Sequence, residues 1–356
     1  MTLKKIAFIA LVNLVVFTSC TEDNNTEVTI PRGDYENGLL ISHEGNFFGG
    51  NASVSYVSGD LQNVENKVFE NVNGTLLGDT AQSMAFYGDY AFIVVNVSNK
   101  IEVVNRYTFI SEATISTGLT NPRYMTFANG KGYVTNWGDG SLATDDYIAE
   151  IDLSTYTVLN TIPVTEGPEH IVSQNNKLYI SHKGGFNSNN KISIIDALNT
   201  SSVTEITVND NPDELAFDST GNLYVLSEGD NRYWLPNAIE TKGAITKINT
   251  GTNLIESTLE FADGFHPSQF NIEGTKAYYY LDGAVYTMSL TDQVLPTDAT
   301  ILDLSFNDMT VKNGLILGVD AGNFTTNGFL EVYNASSGIL LNIVEIGVIP
   351  GEIYFN

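Results

Sequence analysis

The side chains here that could do chemistry are four histidines and a scattered set of carboxylates. The histidines are His43, His170, His182 and His266. The carboxylates of interest are Glu169, Asp213, Glu214, Asp308 and Glu352, each just after a turn and at the start of a strand-like segment. Nucleophilic catalysis finds no pattern: there is no Gly-x-Ser-x-Gly elbow, and the histidines lack an adjacent partner. His43-Glu44 is followed by Gly45-Asn46-Phe47, so the His-Glu-x-x-His zinc motif is absent, and the four histidines have no zinc-ligand spacing. Carboxylates gathered from separate segments would suit calcium, which takes oxygen ligands in loose cages. The plainer reading of the same acids is a solvated acidic rim.

The elements that must position these residues are short strands in a repeat. Its clearest copy is Gly132-Tyr133-Val134-Thr135-Asn136-Trp137, an apolar strand running into a loop. Aligned on that strand, further copies begin at Gly38, Tyr90, Lys177, Asn222, Lys276 and Gly314. A period of roughly 40–50 residues with several strands per unit predicts a propeller. Runs such as Ala91-Phe92-Ile93-Val94-Val95 are apolar throughout, as expected when neighbouring blades cover both faces. Units read 81–120, 121–167, 168–210, 211–263, 264–305 and 306 onward.

The first unit lacks an innermost strand. Gly38 to Ser42 reads as its second strand, followed by strands at 52–57 and 67–69. Pro350-Gly351-Glu352-Ile353-Tyr354-Phe355 has the form of an inner strand and is expected to complete that unit, leaving no open edge. The predicted fold is therefore all-β, a seven-bladed β-propeller closed by its C-terminal strand joining the first blade. Asn121-Pro122, Gly167-Pro168, Asn211-Pro212 and His266-Pro267 mark the joints, where proline should hold the preceding residue extended.

Strands in such a blade alternate in direction, so second-to-third loops share a face with the starts of the inner strands. The loops are His43 to Phe48, Trp137 to Gly140, His182 to Phe186, Glu228 to Trp234, Asp282-Gly283 and Asp320 to Thr325. The inner-strand starts carry Gln82, Arg123, Tyr124, Glu169, His170, Asp213, Glu214, His266, Gln269, Asp308 and Glu352. Both tryptophans and all four histidines fall in these two sets. Loops on a rigid scaffold are where binding residues gather, and Trp, Tyr and Arg are the usual anchors. Large residues in long loops also pack those loops onto the ring. The candidate ligand-binding residues are His43, Phe47, Phe48, Arg123, Tyr124, Trp137, His182, Phe186, Arg232, Tyr233, Trp234 and Phe324. Their aromatic rings suit a bulky ligand with apolar edges, while Arg123, Arg232 and Lys183 could bond amides or a phosphate. No catalytic residue and no resident cofactor is assigned; calcium in the central channel is the alternative.

Hydrophobic residues at 42% are enough for a large core, and 18 Tyr, 18 Phe and 31 Gly favour strands and tight turns. The formal charge of −26 repels phosphate backbones and anionic lipid headgroups, which argues against nucleic-acid binding. The lone cysteine, Cys20, excludes internal disulfides. It follows Lys4-Lys5, an apolar run over 6–17, and Thr18-Ser19, the layout of a lipoprotein signal with Cys20 lipidated. The expected organisation is a signal peptide at 1–19, a lipidated acidic tether at 20–34 and the propeller at 35–356. Contact with the membrane would be through the lipid anchor alone. The acidic residues after Cys20 are similar to the surface-export signal of Bacteroidetes lipoproteins, which implies the outer face of the outer membrane.

Gly132-Tyr133-Val134-Thr135-Asn136 resembles the core of the Tyr-Val-Thr-Asn repeat propellers, the YncE-like group. More narrowly, Gly38 to Phe47 with Asn51-Ala52-Ser53-Val54-Ser55-Tyr56 resembles the BtuG-like family of cobalamin-binding surface lipoproteins of Bacteroidetes. That resemblance implies a non-enzymatic surface receptor that binds a corrinoid, or another bulky small molecule, and delivers it to a TonB-dependent outer-membrane transporter. Two other readings compete with it. One is a calcium-dependent propeller lactonase using the axial acids; the other is a protein-interaction scaffold or adhesin.

Overall fold

Each continuous apolar run becomes a second strand because the two sides of its pleat meet different neighbours. In Tyr90–Val95, the side chains of Ala91, Ile93 and Val95 pack with Leu40 and Val54, while Phe92 and Val94 pack with Met125, Val134 and Ala149. Successive side chains of a strand point to opposite faces, so one run serves two interfaces. In the computed structural model, which describes residues 31–232 and 239–356, this packing sets seven antiparallel sheets side by side. Their innermost strands are Ala81–Tyr87, Pro122–Ala128, Pro168–Gln174, Pro212–Phe217, Ser268–Glu273, Asp308–Lys312 and Pro350–Phe355. Each touches the next, and the last touches the first, so the ring is closed.

Closure is as the sequence predicts. Pro350–Phe355 pairs antiparallel with Gly38–His43, Leu39 opposite Phe355 and Leu40 opposite Tyr354. The chain end is then clamped. Asn356 donates its backbone N–H to Gly38 O at 2.9 Å and its side-chain amide to Tyr35 O at 2.5 Å and Arg106 O at 2.8 Å. Arg106 Nε donates back to Asn356 Oδ1 at 2.6 Å.

Two expectations need correction, and one blade departs from the rest. The outer strand of the first blade is Val64–Glu65, not 67–69; Val68–Asn73 is a short helix that buries Val68 and Phe69. Over three residues an apolar pair fits either period, which is why the two were confused. The sixth blade has three strands, Ser268–Glu273, Lys276–Leu281 and Ala284–Ser289, with a single bridge from Val285 to Ile301 where a fourth would run. At three of the four joints, the residue before proline is not extended: Asn121, Gly167 and Asn211 have φ of 54°, 64° and 52°. That left-handed turn aims each carbonyl at the loop beyond the second strand, where it accepts the N–H of Trp137 at 3.2 Å, Gly184 at 3.3 Å and Glu228 at 2.9 Å respectively. Asn and Gly tolerate that region well. Thr80 and Ile349 make the same turn and bond Asn96 and Glu44.

No helix among the described residues is long and apolar enough to cross a membrane. Removal of residues 350–356 exposes the edge of Gly38–His43 and takes Ile353 out of its cluster, uncovering Leu39, Ile41 and Val319. The truncated chain is expected to lose cooperative unfolding of the whole ring in a thermal melt; loss of only a local transition would contradict this.

Candidate functional site

The inner strands present polar residues to the axis through a repeated irregularity. Pairing with the second strand slips between Ala81 and Ser83, Pro122 and Met125, Pro168 and Ile171, Pro212 and Leu215, and Ser268 and Asn271. Bulges re-aim side chains, and the residues lifted from the ladder are Gln82, Arg123-Tyr124, Glu169-His170, Asp213-Glu214 and Gln269-Phe270. On the closing strand the slip falls opposite the segment from Ile41 to His43, beside Gly351-Glu352. Gln82, Tyr124, His170, Asp213, Glu214, Gln269 and Glu352 then line an axial well of about 270 Å³, with Glu44, Lys183, Glu228 and Asp308.

One side of this well is a closed charge network. Lys183 Nζ donates to Asp213 Oδ2 at 2.5 Å and Glu228 Oε1 at 3.0 Å. Asp213 Oδ1 lies 2.8 Å from His170 Nδ1, the His170 ring lies 3.7 Å from that of Tyr124, and Tyr124 donates its hydroxyl to Glu352 at 3.1 Å. Burial opposes the charge on His170 and Lys183, but the carboxylates outweigh it and hold both groups protonated, well above their ordinary range. Burial likewise opposes ionisation of Asp213, and Lys183 and His170 overcome it, holding Asp213 well below the usual carboxylate range. Glu214 and Asp308 have no such partners. Burial, then Asp213 and Glu228, push Glu214 up to about 8; burial and Glu352 raise Asp308 well above its ordinary value. Glu214 Oε1 accepts Gln269 N–H at 2.7 Å, while its buried Oε2 has no partner.

Beside the well, on the same face, lies a cleft of about 500 Å³ lined by Phe47, Phe48, Trp137 and Phe186, with Arg123, Asn96 and Asn121 among its polar neighbours. Glu44 and Gln82 line both depressions, so the two adjoin. Phe47, Phe48 and Phe186 are 70%, 78% and 70% exposed. Trp137 is pinned: its Nε1–H donates to Pro168 O at 3.0 Å and the Arg123 guanidinium lies 4.1 Å from its ring centre. Arg123 is held in turn by Glu169 at 2.6 Å and Gln82 at 2.5 Å. The loops bearing Trp137 and Phe186 join backbone to backbone, Phe186 N–H donating to Gly140 O at 3.3 Å. A Cβ on Gly167 would lie 2.1 Å from Gly185 N, so only glycine allows that approach.

Of the twelve candidate ligand residues, the structure brings Phe47, Phe48, Arg123, Trp137 and Phe186 together in the cleft and sets Tyr124 on the well. Phe324 is exposed on its own loop and lines neither. Arg232 forms a bidentate pair with Asp230 within one loop. Tyr233 and Trp234 lie outside the described residues, as does Cys20. His43 and His182 are corrected from loop to core: they end the strands Gly38–His43 and Lys177–His182 and are wholly buried. Their Nε2 atoms pair with Ser55 and Ser193 Oγ at 2.7 Å, and burial pushes them down to about 3 and about 4, so they are neutral. The equivalent strand ends, Asn136 and Ser227, are buried too. Glu44, His170, Lys183 and the axial acids belong to the site although the ligand set omitted them.

Glu214 gives this site a pH signature. Its folded value near 8 exceeds the roughly 4.3 of an unfolded glutamate, so its contribution to stability is full below the unfolded value and is lost as pH rises toward 8. Glu214→Gln keeps the shape of the protonated form and cannot ionise. Its melting temperature relative to the parent is expected to climb between about pH 5 and pH 9; a constant difference would contradict the assignment.

Solved structures with this architecture confirm the propeller. A Quinonprotein alcohol dehydrogenase-like protein from Bacteroides thetaiotaomicron superposes with a TM-score of 0.64 at 15% identity, over 90% of this chain and 78% of its own. The periplasmic gluconolactonase of Pseudomonas aeruginosa gives 0.63 at 11% identity, over 89% and 98%. A protein from Lactobacillus plantarum gives 0.62 at 14%, over 90% and 99%. At such identities the likeness is one of fold. No curated protein matches the sequence. Residues 37–295 match the family described as "Domain of unknown function (DUF5074)", and with that span covering most of the ring the chain belongs to the DUF5074 family.

Proposed function

We propose that the protein captures a bulky ligand with a flat apolar edge on the aromatic cleft and carries out no reaction on it. A corrinoid is the ligand that the sequence resemblance implies. The observation that supports this reading is the group of three strongly exposed phenylalanines beside a pinned tryptophan. Exposed apolar clusters of this kind mark interaction sites, and preorganised aromatic area gives affinity at little cost in side-chain entropy. Arg123 is already matched by Glu169, so the cleft offers hydrogen bonds from Asn96, Asn121 and Gln82 more than free positive charge. Amide groups on the ligand suit that rim better than a phosphate does.

Anchoring through Cys20 at the outer membrane, facing outward, and delivery to a TonB-dependent transporter are part of the same proposal. The chain joins the ring at Gly38, the end of its strand opposite Glu44 and the cleft. A calcium-dependent lactonase fits the residues less well. Among the described residues no three acidic, histidine or cysteine side chains are grouped to hold a metal ion, and Asp213 is committed to Lys183 and His170.

Calorimetric titration with cyanocobalamin tests the reading. Saturable binding is expected, weakened by Trp137→Ala by at least ~2 kcal/mol, the scale of an interface hot spot. Phe47→Ala with Phe48→Ala should weaken it as well. Absence of heat from folded protein would remove corrinoids as the ligand, and unchanged affinity in both variants would remove the cleft.

A further inference from the structure

We propose that the axial well is a binding site for a primary alkylammonium group, seated against Glu214 and Asp308. Six carboxylate side chains line the well (Glu44, Asp213, Glu214, Glu228, Asp308 and Glu352) against two basic ones, His170 and Lys183. Both bases are spent on the same side, where Asp213 takes one hydrogen bond from each. Lys183 shows how the well holds an alkylammonium: the nitrogen sits between two carboxylates, Asp213 and Glu228, at 2.5 and 3.0 Å. Glu214, next to Asp213 on the same strand, and Asp308 have no such nitrogen, and the buried Oε2 of Glu214 has no hydrogen-bond partner. An orphaned buried carboxyl oxygen is costly, and a donor supplied from outside would relieve it.

The occupant's chemistry follows from the grouping of the acids and from the walls. Among the described residues the acids are not grouped closely enough to hold a metal ion. A cation whose N–H donors diverge from a tetrahedral nitrogen can bridge more widely spaced acceptors. Leu215, Phe270, Met309 and Ile353 also line the well and would flank the methylene stem of an amine. Proton linkage provides a signature. Glu214 faces Asp213, Glu228, His170 and Lys183, while Asp308 faces Glu352, Glu214 and His170; burial, reinforced by the neighbouring carboxylates and only partly offset by the two bases, keeps both carboxyls protonated beyond the ordinary range. An arriving cation favours their ionised forms, so binding near neutral pH releases protons and strengthens as pH rises. None of this depends on what the aromatic cleft takes.

The test is calorimetric titration of the whole chain with putrescine, a linear diamine, against the diol of the same carbon length, in buffers of different ionisation enthalpy. Saturable binding of the diamine but not the diol is expected, with proton release. Glu214→Gln and Asp308→Asn, both close in shape to the protonated side chains, should each weaken it about tenfold or more. Trp137→Ala should leave it unchanged, which separates this site from the cleft. No saturable heat beyond that of the diol would overturn the proposal. So would affinity unchanged from the parent in both carboxyl variants, or saturable calcium binding without diamine binding.

Discussion

The ring stands or falls with the pairing of Pro350–Phe355 against Gly38–His43. Each blade carries apolar side chains on both sides of its second strand, so no blade is stable with one side uncovered, and the first blade has no inner strand of its own. The C-terminal strand supplies the missing ladder and places Ile353 in the cluster that joins the first and last blades. It also brings Glu352 to the axis, within reach of Tyr124 and His170. Closure and the polar site thus share one strand. Ile349, a β-branched residue at φ 50°, sits at the turn that makes this possible and holds Glu44 N–H at 3.0 Å. Such a conformation is unfavourable for that side chain and persists because the ring on both sides fixes it.

Charge balance on the axis is the second constraint. Burying many carboxylates in one well is tolerable only where cations face them or protons stay on. The chain uses both devices. Lys183, His170 and Arg123 neutralise Asp213, Glu228 and Glu169, whereas Glu214 and Asp308 hold their protons beyond the usual range. The aromatic cleft next to it is built the opposite way, with apolar area outward and Arg123 already neutralised beneath Trp137. Two neighbouring depressions on one face therefore differ in what they can hold, although Glu44 and Gln82 line both.

Much of this architecture is legible in the chain itself. The repeat around Gly132 to Asn136, the orphaned first unit and the strand-like tail fix the blade number and the manner of closure, because strand periodicity and turn residues act locally. They also place Phe47, Phe48, Trp137 and Phe186 on one face, since strand direction alternates whatever the packing. What only the tertiary structure decided is depth, pairing and register. His43 and His182 occupy the last position of a strand, and only the serine across the sheet shows that they are neutral core residues. The bulges that lift Glu169-His170 and Asp213-Glu214 onto the axis break the two-residue alternation and have no periodic signature. Nor could sequence spacing say that Lys183 would reach Asp213 and leave Glu214 without a cation. That outcome is set by distances between side chains on different blades, which local sequence preferences do not encode.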